Sequence, residues 1–335
     1  MMTRLFNSFL LLCLLLVTGG IHADTDPLPS WNDGDTKQAI IEFVQEVTKE
    51  GGKNYVPPSD RIATFDQDGT LWVEQPMYCE MFFVLDKIRE MSSKHPEWKN
   101  TEPFKAVISN DIQALEHLTE HDEEILVLAS HSNITVDDFH LEVTDWLKKA
   151  IHPRYKKPFT ELVYQPMLEV MQYFEKNQFR VYIVSGGGQE FMRSFTEKMY
   201  GLLPGWVIGT TMVTEYQYHK GHPLLVVSPK VLFINNGPGK VEGINLIIGQ
   251  RPIAAFGNSS GDQQMLEWTQ VTKGKTLELL VHHDDDVREY AYGPNSKIGT
   301  FPIALMAEAR KEGWLIVSMK NDWKIIFPWD QKKEK

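Results

Sequence analysis

The sequence predicts an α/β protein: a doubly wound, mainly parallel sheet with a helical domain inserted into it. Three observations lead there. Short apolar runs bounded by Gly and Pro alternate with helical stretches between about residues 159 and 281. The runs end in loops rich in Gly, Ser, Asn and Asp, as parallel strands do at their ligand-binding tips. Between the first run and the next strand–helix unit, residues 77–158 carry helical patterning and little strand alternation. The chain has 335 residues, 42% apolar and 24% charged, which is enough to bury a full core and ordinary for a globular protein. Its net charge of -11 and the absence of a basic run interleaved with aromatics argue against nucleic acid as a partner.

The first 23 residues differ from the rest. Arg4 precedes the apolar block Phe9–Val17, and small residues follow as far as Ala23. This is the pattern of a secretory signal peptide cut near Ala23, and the block is short of the roughly 20 apolar residues that a membrane span needs. The expectation is export to the periplasm or beyond, with no stable membrane anchor. Cutting there removes Cys13 and leaves Cys79 with no internal disulfide partner.

Residues 24–35 read as a linker or surface arm. Residues 36–76 and 159–335 form the predicted α/β core, and 77–158 the helical cap. Thr36 is the expected N-cap of a helix with Ile40, Ile41, Phe43, Val44 and Val47 on one side, stopped by Gly51-Gly52. Arg61–Thr64 reads as a buried strand. The cap patterning predicts helices over 77–91, 104–117 and 136–150, the last capped by Thr135. Beyond it come a helix within 161–177 interrupted near Pro166, a strand over 179–184 and a helix over 189–200. A strand over 206–213, a helix over 241–248 and strands over 252–256 and 277–281 complete the pattern. Inserted caps of this kind commonly close over a crevice and select what enters it.

Four strand tips carry the reactive groups. Phe65-Asp66-Gln67-Asp68-Gly69-Thr70 sets two carboxylates two residues apart, suited to a hard cation and to a division of labour between nucleophile and proton donor. Ser185-Gly186-Gly187-Gly188 offers a hydroxyl and bare amides at the start of a helix, which suits phosphate. Asn236-Gly237-Pro238-Gly239-Lys240 opens another helix with a lysine, a place unfavourable for a cation unless an anion sits beside it. Gly257-Asn258-Ser259-Ser260-Gly261-Asp262 supplies two more oxygen ligands. The run His282-His283-Asp284-Asp285-Asp286 reads as a polar strand end, because consecutive residues on an extended chain diverge. Tyr78, Phe82, Phe83, Trp98 and Trp146 read as packing for the cap.

In order and in context these four segments resemble the motifs of the haloacid dehalogenase (HAD) superfamily, most closely its phosphoserine-phosphatase-like branch with a C1-type helical cap on a Rossmann-like core. The resemblance implies an Mg²⁺-dependent phosphomonoester hydrolase acting on small organic phosphates through an aspartyl-phosphate. Asp66 would be the nucleophile and Asp68 the general acid and base. Thr70, Ser185 and Gly186 would hold phosphoryl oxygens and Lys240 would balance their charge. Mg²⁺ would sit on Asp66, the main-chain carbonyl of Asp68, and Asp262 or Asn258. Asn258 stands where many relatives have Asp, which makes Asp262 the expected surer ligand. An acid at position 68 favours phosphatase over dehalogenase or phosphonatase chemistry. Neither Glu74 nor Glu80 falls at the spacing of the amino-acid-binding glutamate of the phosphoserine phosphatases. Transfer to an alcohol acceptor and a non-catalytic binding role are the alternatives.

Overall fold

The computed structural model describes residues 26–333, so the expected signal peptide and its cut near Ala23 lie outside the described residues. Seven strands form one sheet in the order β4-β3-β2-β1-β5-β6-β7. They are β1 (Ile62–Phe65), β2 (Arg180–Gly188), β3 (Val207–His219), β4 (His222–Phe233), β5 (Ala254–Gly257), β6 (Leu277–His282) and β7 (Leu315–Ser318). All pairings are parallel except β3–β4. In register, Ala63 stands beside Val181 on one side and Ala254 on the other, so β1 lies at the centre of the parallel array.

Alternation along the central strands builds two cores. Ala63, Phe65, Val181, Ile183 and Phe256 point to one face, where they meet α1 (Asp35–Thr48) through Phe43 and Val44. Ile62, Tyr182, Val184 and Ala255 point to the other. Phe65 and Phe256 stack with ring centroids 4.1 Å apart, fixing β1 against β5 directly below the strand tips. The α1 stripe falls where its spacing places it, although the helix begins at Asp35 and has no side-chain cap.

Residues 26–33, read from sequence as a linker or arm, are packed. Leu28, Ser30 and Trp31 are buried, Trp31 Nε1 donates to the Pro166 carbonyl at 3.0 Å, and Ser30 binds both carboxylate oxygens of Glu169. A stretch with two prolines carries no period, so its burial is a tertiary event with no local signature.

The inserted segment holds α2 (Cys79–Met91), α3 (Phe104–Ser109), α4 (Ile112–Glu116), α5 (Glu120–His131) and α6 (Val136–Leu147). The helix expected over 104–117 is broken at Asn110, whose left-handed φ of 54° ends α3. The sequence reading overlooked α5, although Thr119 and Asp122 close it with a capping box. Val84, Leu85, Ile88, Trp98, Phe104, Val107 and Leu126 give α2–α5 a core of their own. By contrast, α6 sends Phe139, Val143 and Leu147 into the main core.

Helix α7 (Gln165–Lys176) holds Pro166 in its first turn rather than bending there, since proline is tolerated in a first turn. It packs on the Phe65 face. The stretch expected as one helix over 189–200 divides into α8 (Gln189–Arg193) and α9 (Thr196–Tyr200). Helices α10 (Pro238–Ile247), α11 (Gln263–Gln270) and α12 (Ile303–Glu312) cover the Ile62 face through Ile244, Met265, Leu266 and Leu305.

β3 runs six residues beyond its expected end and turns at Lys220-Gly221, both with positive φ, into antiparallel β4. This hairpin was missed because residues near its tip are exposed on both faces, leaving no in–out alternation to read. No helix among the described residues is long and apolar enough to cross a membrane.

Candidate active site

The four strand-tip segments converge. β1 ends at Phe65, and the chain leaves it through Asp66, whose amide donates to the Phe256 carbonyl at 2.9 Å. Gly69 turns the loop with φ +74°. A Cβ there would lie 2.0 Å from Asn258 Nδ2 and 2.3 Å from Glu74 Oε1, so only glycine fits. The Gly69 carbonyl accepts from His283 Nε2 at 2.7 Å, and Nδ1 of the same ring faces Glu289 Oε2 at 3.1 Å. His283 thus anchors the first loop. Its neighbour Asp284 turns away to Ser318 and Lys320, and Asp285 to Arg288, so the run from His282 disperses as expected of a strand end.

Lys240 reaches this loop from the first turn of α10. It is 2% exposed, and its Nζ donates to Asp66 Oδ1 at 2.5 Å and to Asp262 Oδ1 at 2.6 Å. The unfavourable position of a cation at a helix start is offset by these two carboxylates. Burial works against the charge, but Asp262 and Asp66 overcome it and hold the lysine pKa above its usual value. Asp262 Oδ2 accepts from the Asn258 and Ser259 amides, both at 3.0 Å. Both Asp262 oxygens are therefore occupied. In this structure its geometry is that of a residue orienting Lys240 and the loop.

Burial, with Asp262 nearby, pushes the Asp66 carboxyl up to about 7 even against Lys240. Burial also raises Asp68, to about 6, helped by Glu80 and opposed by the hydrogen bond from Trp72 Nε1 to Asp68 Oδ1 at 2.7 Å. That bond fixes one Asp68 oxygen and leaves Oδ2 without a hydrogen bond from the described residues.

Thr70 departs from its expected role. It is fully buried, its hydroxyl lies 3.4 Å from Asn258 Oδ1, and it does not line the cavity, so it buttresses Asn258 instead of facing a phosphoryl oxygen. Ser185 and Gly186 do line it, and Asn235 Nδ2 holds their loop by donating to the Ser185 carbonyl at 2.8 Å. The cavity measures about 640 Å³ and includes Asp66, Asp68, Ser185, Gly186, Gly187 and Lys240 at its floor, with residues of α2 and α5 as its roof.

Glu74 is the residue whose part in the site sequence reading missed. Its carboxylate is buried. Oε1 accepts from Asn258 Nδ2 at 2.7 Å and from Tyr292 OH, while Oε2 takes no hydrogen bond from the described residues. Burial raises its pKa well above the carboxylate range, with Asp68 and Asp66 adding to the effect. Gly69 and Gly299 make room for it: both have positive φ, and a Cβ on either would collide with Glu74 Oε1. Glu80 is also engaged, accepting from the Gly188 amide at 2.7 Å and lying 3.2 Å from His131 Nε2.

Three buried carboxylates (Asp66, Glu74 and Asp262) and the half-buried Asp68 thus gather around one buried ammonium, which Asp66 and Asp262 bond directly. Among the described residues no three His, Cys, Asp or Glu side chains form a ready cage for a metal. Among the described residues, one carboxylate oxygen each of Asp66, Asp68 and Glu74 takes no side-chain hydrogen bond, and the Asn258 amide oxygen has only the long 3.4 Å contact from Thr70. An all-oxygen set with surplus negative charge suits a hard divalent cation.

A family model described as haloacid dehalogenase-like hydrolase matches residues 63–267. A solved structure of a conserved, functionally unknown protein from Anaerococcus prevotii DSM 20548 is similar at 16% identity, covering 88% of this chain and 94% of its own, with a TM-score of 0.60. A probable phosphoserine phosphatase from Vibrio cholerae aligns at 14% identity over 83% of this chain and 76% of its own, with a TM-score of 0.38. No curated protein matches.

Proposed function

The chain belongs to the haloacid dehalogenase-like hydrolases, and from that premise we propose that it is a divalent-cation-dependent phosphomonoester hydrolase working through an aspartyl-phosphate. The observation that carries the reading is the Lys240 ammonium held between Asp66 and Asp262, beside an Asp68 carboxylate with one oxygen open.

Asp66 Oδ2 is the free nucleophilic oxygen, since Oδ1 is held by Lys240. It attacks phosphorus and forms an acyl-phosphate bond while the ester P–O bond breaks. Asp68 gives its proton to the departing alkoxide; a carboxyl raised to about 6 holds a usable fraction of acid near neutrality. Water then attacks the phosphorus of the aspartyl-phosphate, Asp68 takes back a proton, and phosphate leaves with the Asp66 carboxylate restored. Ser185 and Gly186 line the cavity where phosphoryl oxygens would sit, and the Gly187 amide donates to Ser185 Oγ at 3.2 Å and orients that hydroxyl. Lys240 balances charge that moves from phosphate to carboxylate without itself moving.

Asp66, the Asp68 carbonyl and Asn258 would hold Mg²⁺, with Glu74 hydrogen-bonded to Asn258 as a further ionisable group beside them. When bound, the ion supplies charge neutralisation at the phosphoryl oxygens. Export of the protein and a small organic phosphate as substrate belong to the same proposal; they rest on the N-terminal pattern and on the roofed cavity.

The test is hydrolysis of an aryl phosphate with Mg²⁺ by the wild type and by Asp66→Asn, with acid-quenched samples examined for a phosphorylated Asp66. Turnover and labelling lost in the variant, with its fold unchanged, support the reading. Full turnover in the variant or in EDTA overturns it.

A further inference from the structure

A second cavity, about 530 Å³ in volume, opens from the catalytic one between α5–α6 and the β3–β4 hairpin. Six residues border both spaces, among them Gly186 and Thr210 on the core side and Glu80 and Val127 on the other. Phosphate seated at Ser185 and Gly186 therefore lies at the entrance. The walls beyond it are formed by Val127 and Phe139 on the helices and by Met212, Leu225 and Leu232 on the hairpin.

Two of the three carboxylates in that wall are already matched, and the third, Glu124, stands half-exposed at the border with the catalytic cavity. Glu80 is held by the Gly188 amide and His131. Glu190 pairs with Arg193 at 2.8 Å and with His140 at 2.7 Å. What remains for a ligand is apolar surface. Leu225 and Leu232 are 45% and 68% exposed, unsheltered by the protein's own packing, and both line the cavity.

We propose that this cavity receives the leaving group of the substrate, and that the substrate is a phosphomonoester of an apolar alcohol, alkyl of medium length or aryl. The assignment rests on the phosphatase reading. Its physical basis is continuity: one end of the joined space presents amides, a hydroxyl and an ammonium, and the other presents hydrocarbon, matching an ester with an anionic head and a greasy tail. A small polar alcohol leaves the far end wet and unfilled.

The test uses ethylphosphonate and octylphosphonate as non-hydrolysable probes, titrated calorimetrically in the presence of Mg²⁺, with ethyl and octyl phosphate as the substrates. Octylphosphonate is expected to bind about 100-fold more tightly, a discount on the transfer free energy of six methylenes. The substrates' kcat/KM values should differ in the same sense. Leu225→Glu and Leu232→Glu, both at exposed positions, should each shrink the octyl-to-ethyl ratio about tenfold. Met212→Trp, which fills the space from inside, should shrink it as well. Equal binding of the two phosphonates overturns the inference, and so does a ratio that all three variants leave intact. Turnover of both esters with no chain-length preference refutes this cavity while the phosphatase reading stands. An octyl preference in binding without turnover of any ester supports the cavity and removes the phosphatase reading.

Discussion

The ammonium of Lys240 donates to Oδ1 of Asp66 at 2.5 Å across 174 residues of chain. A lysine so deeply buried is stable only because the second carboxylate, Asp262, shares it at 2.6 Å. Replacing it with methionine removes the counter-charge of two buried acids at once. Lys240→Met should lower kcat by about 10²–10³-fold. It should also lower thermal stability by about 3–5 kcal/mol, the usual consequence of stranding buried charge. A variant with wild-type turnover would show that the lysine is only structural.

Glu74 and Asn258 form a hydrogen-bonded pair in which one side chain can ionise and the other cannot. Glu74→Gln should weaken Mn²⁺ binding about tenfold or more, read by calorimetry or by the spin signal of free Mn²⁺. Placing the charge one step away, in the double variant Glu74→Gln/Asn258→Asp, should restore most of it. Undiminished affinity in Glu74→Gln would exclude Glu74 from the cation's environment.

The raised pKa of Asp68 gives a leaving-group test. Alkoxide departure needs its proton and nitrophenolate departure does not. Above pH 6 the acid form of Asp68 declines, so the alkyl-to-aryl ratio of kcat/KM should fall as pH rises through about 6. Comparing two substrates cancels the titration of Asp66, and each ester's own phosphate ionisation, which differs between alkyl and aryl, is titrated separately and divided out. Asp68→Asn should flatten that ratio and cost the alkyl ester more. A ratio constant from pH 5 to 8 in the wild type would remove Asp68 from the acid role.

Away from the site, Glu278 on β6 is buried with Oε1 unpartnered, and burial raises its pKa to about 7. The folded state binds the proton more tightly than the unfolded chain. Its contribution to stability is therefore whole below about pH 4.5 and lost as pH rises through 7. Glu278→Gln should leave the melting temperature almost unchanged at pH 5 and raise it at pH 8.5, by the equivalent of about 2 kcal/mol. Equal shifts at both values would show that the carboxyl is not ionising in place.

Asp66, Asp68, Ser185, Lys240, Asn258 and Asp262 were legible because each follows a strand or opens a helix whose own signal is local. Lys240 is instructive: its place at a helix start is unfavourable alone, and that local conflict pointed to a nearby anion. Glu74 was not legible. It lies in no periodic element, and its burial depends on Asn258, Tyr292 and two glycines distant in sequence. Thr70 was misassigned because spacing fixes where a residue sits along a loop and not which way its hydroxyl turns. The β3–β4 hairpin and the buried arm around Trp31 share one reason for being missed: each is held by contacts that leave no period in the chain.

The Lys240 contacts also fix when the site can exist. A nascent chain that has emerged as far as residue 239 presents Asp66 with no cation at its side, and one ending before Asp262 presents a lysine only half compensated. The charge cluster therefore cannot be complete before nearly four-fifths of the polypeptide has been made, and His283 and Tyr292, which brace it, come later still.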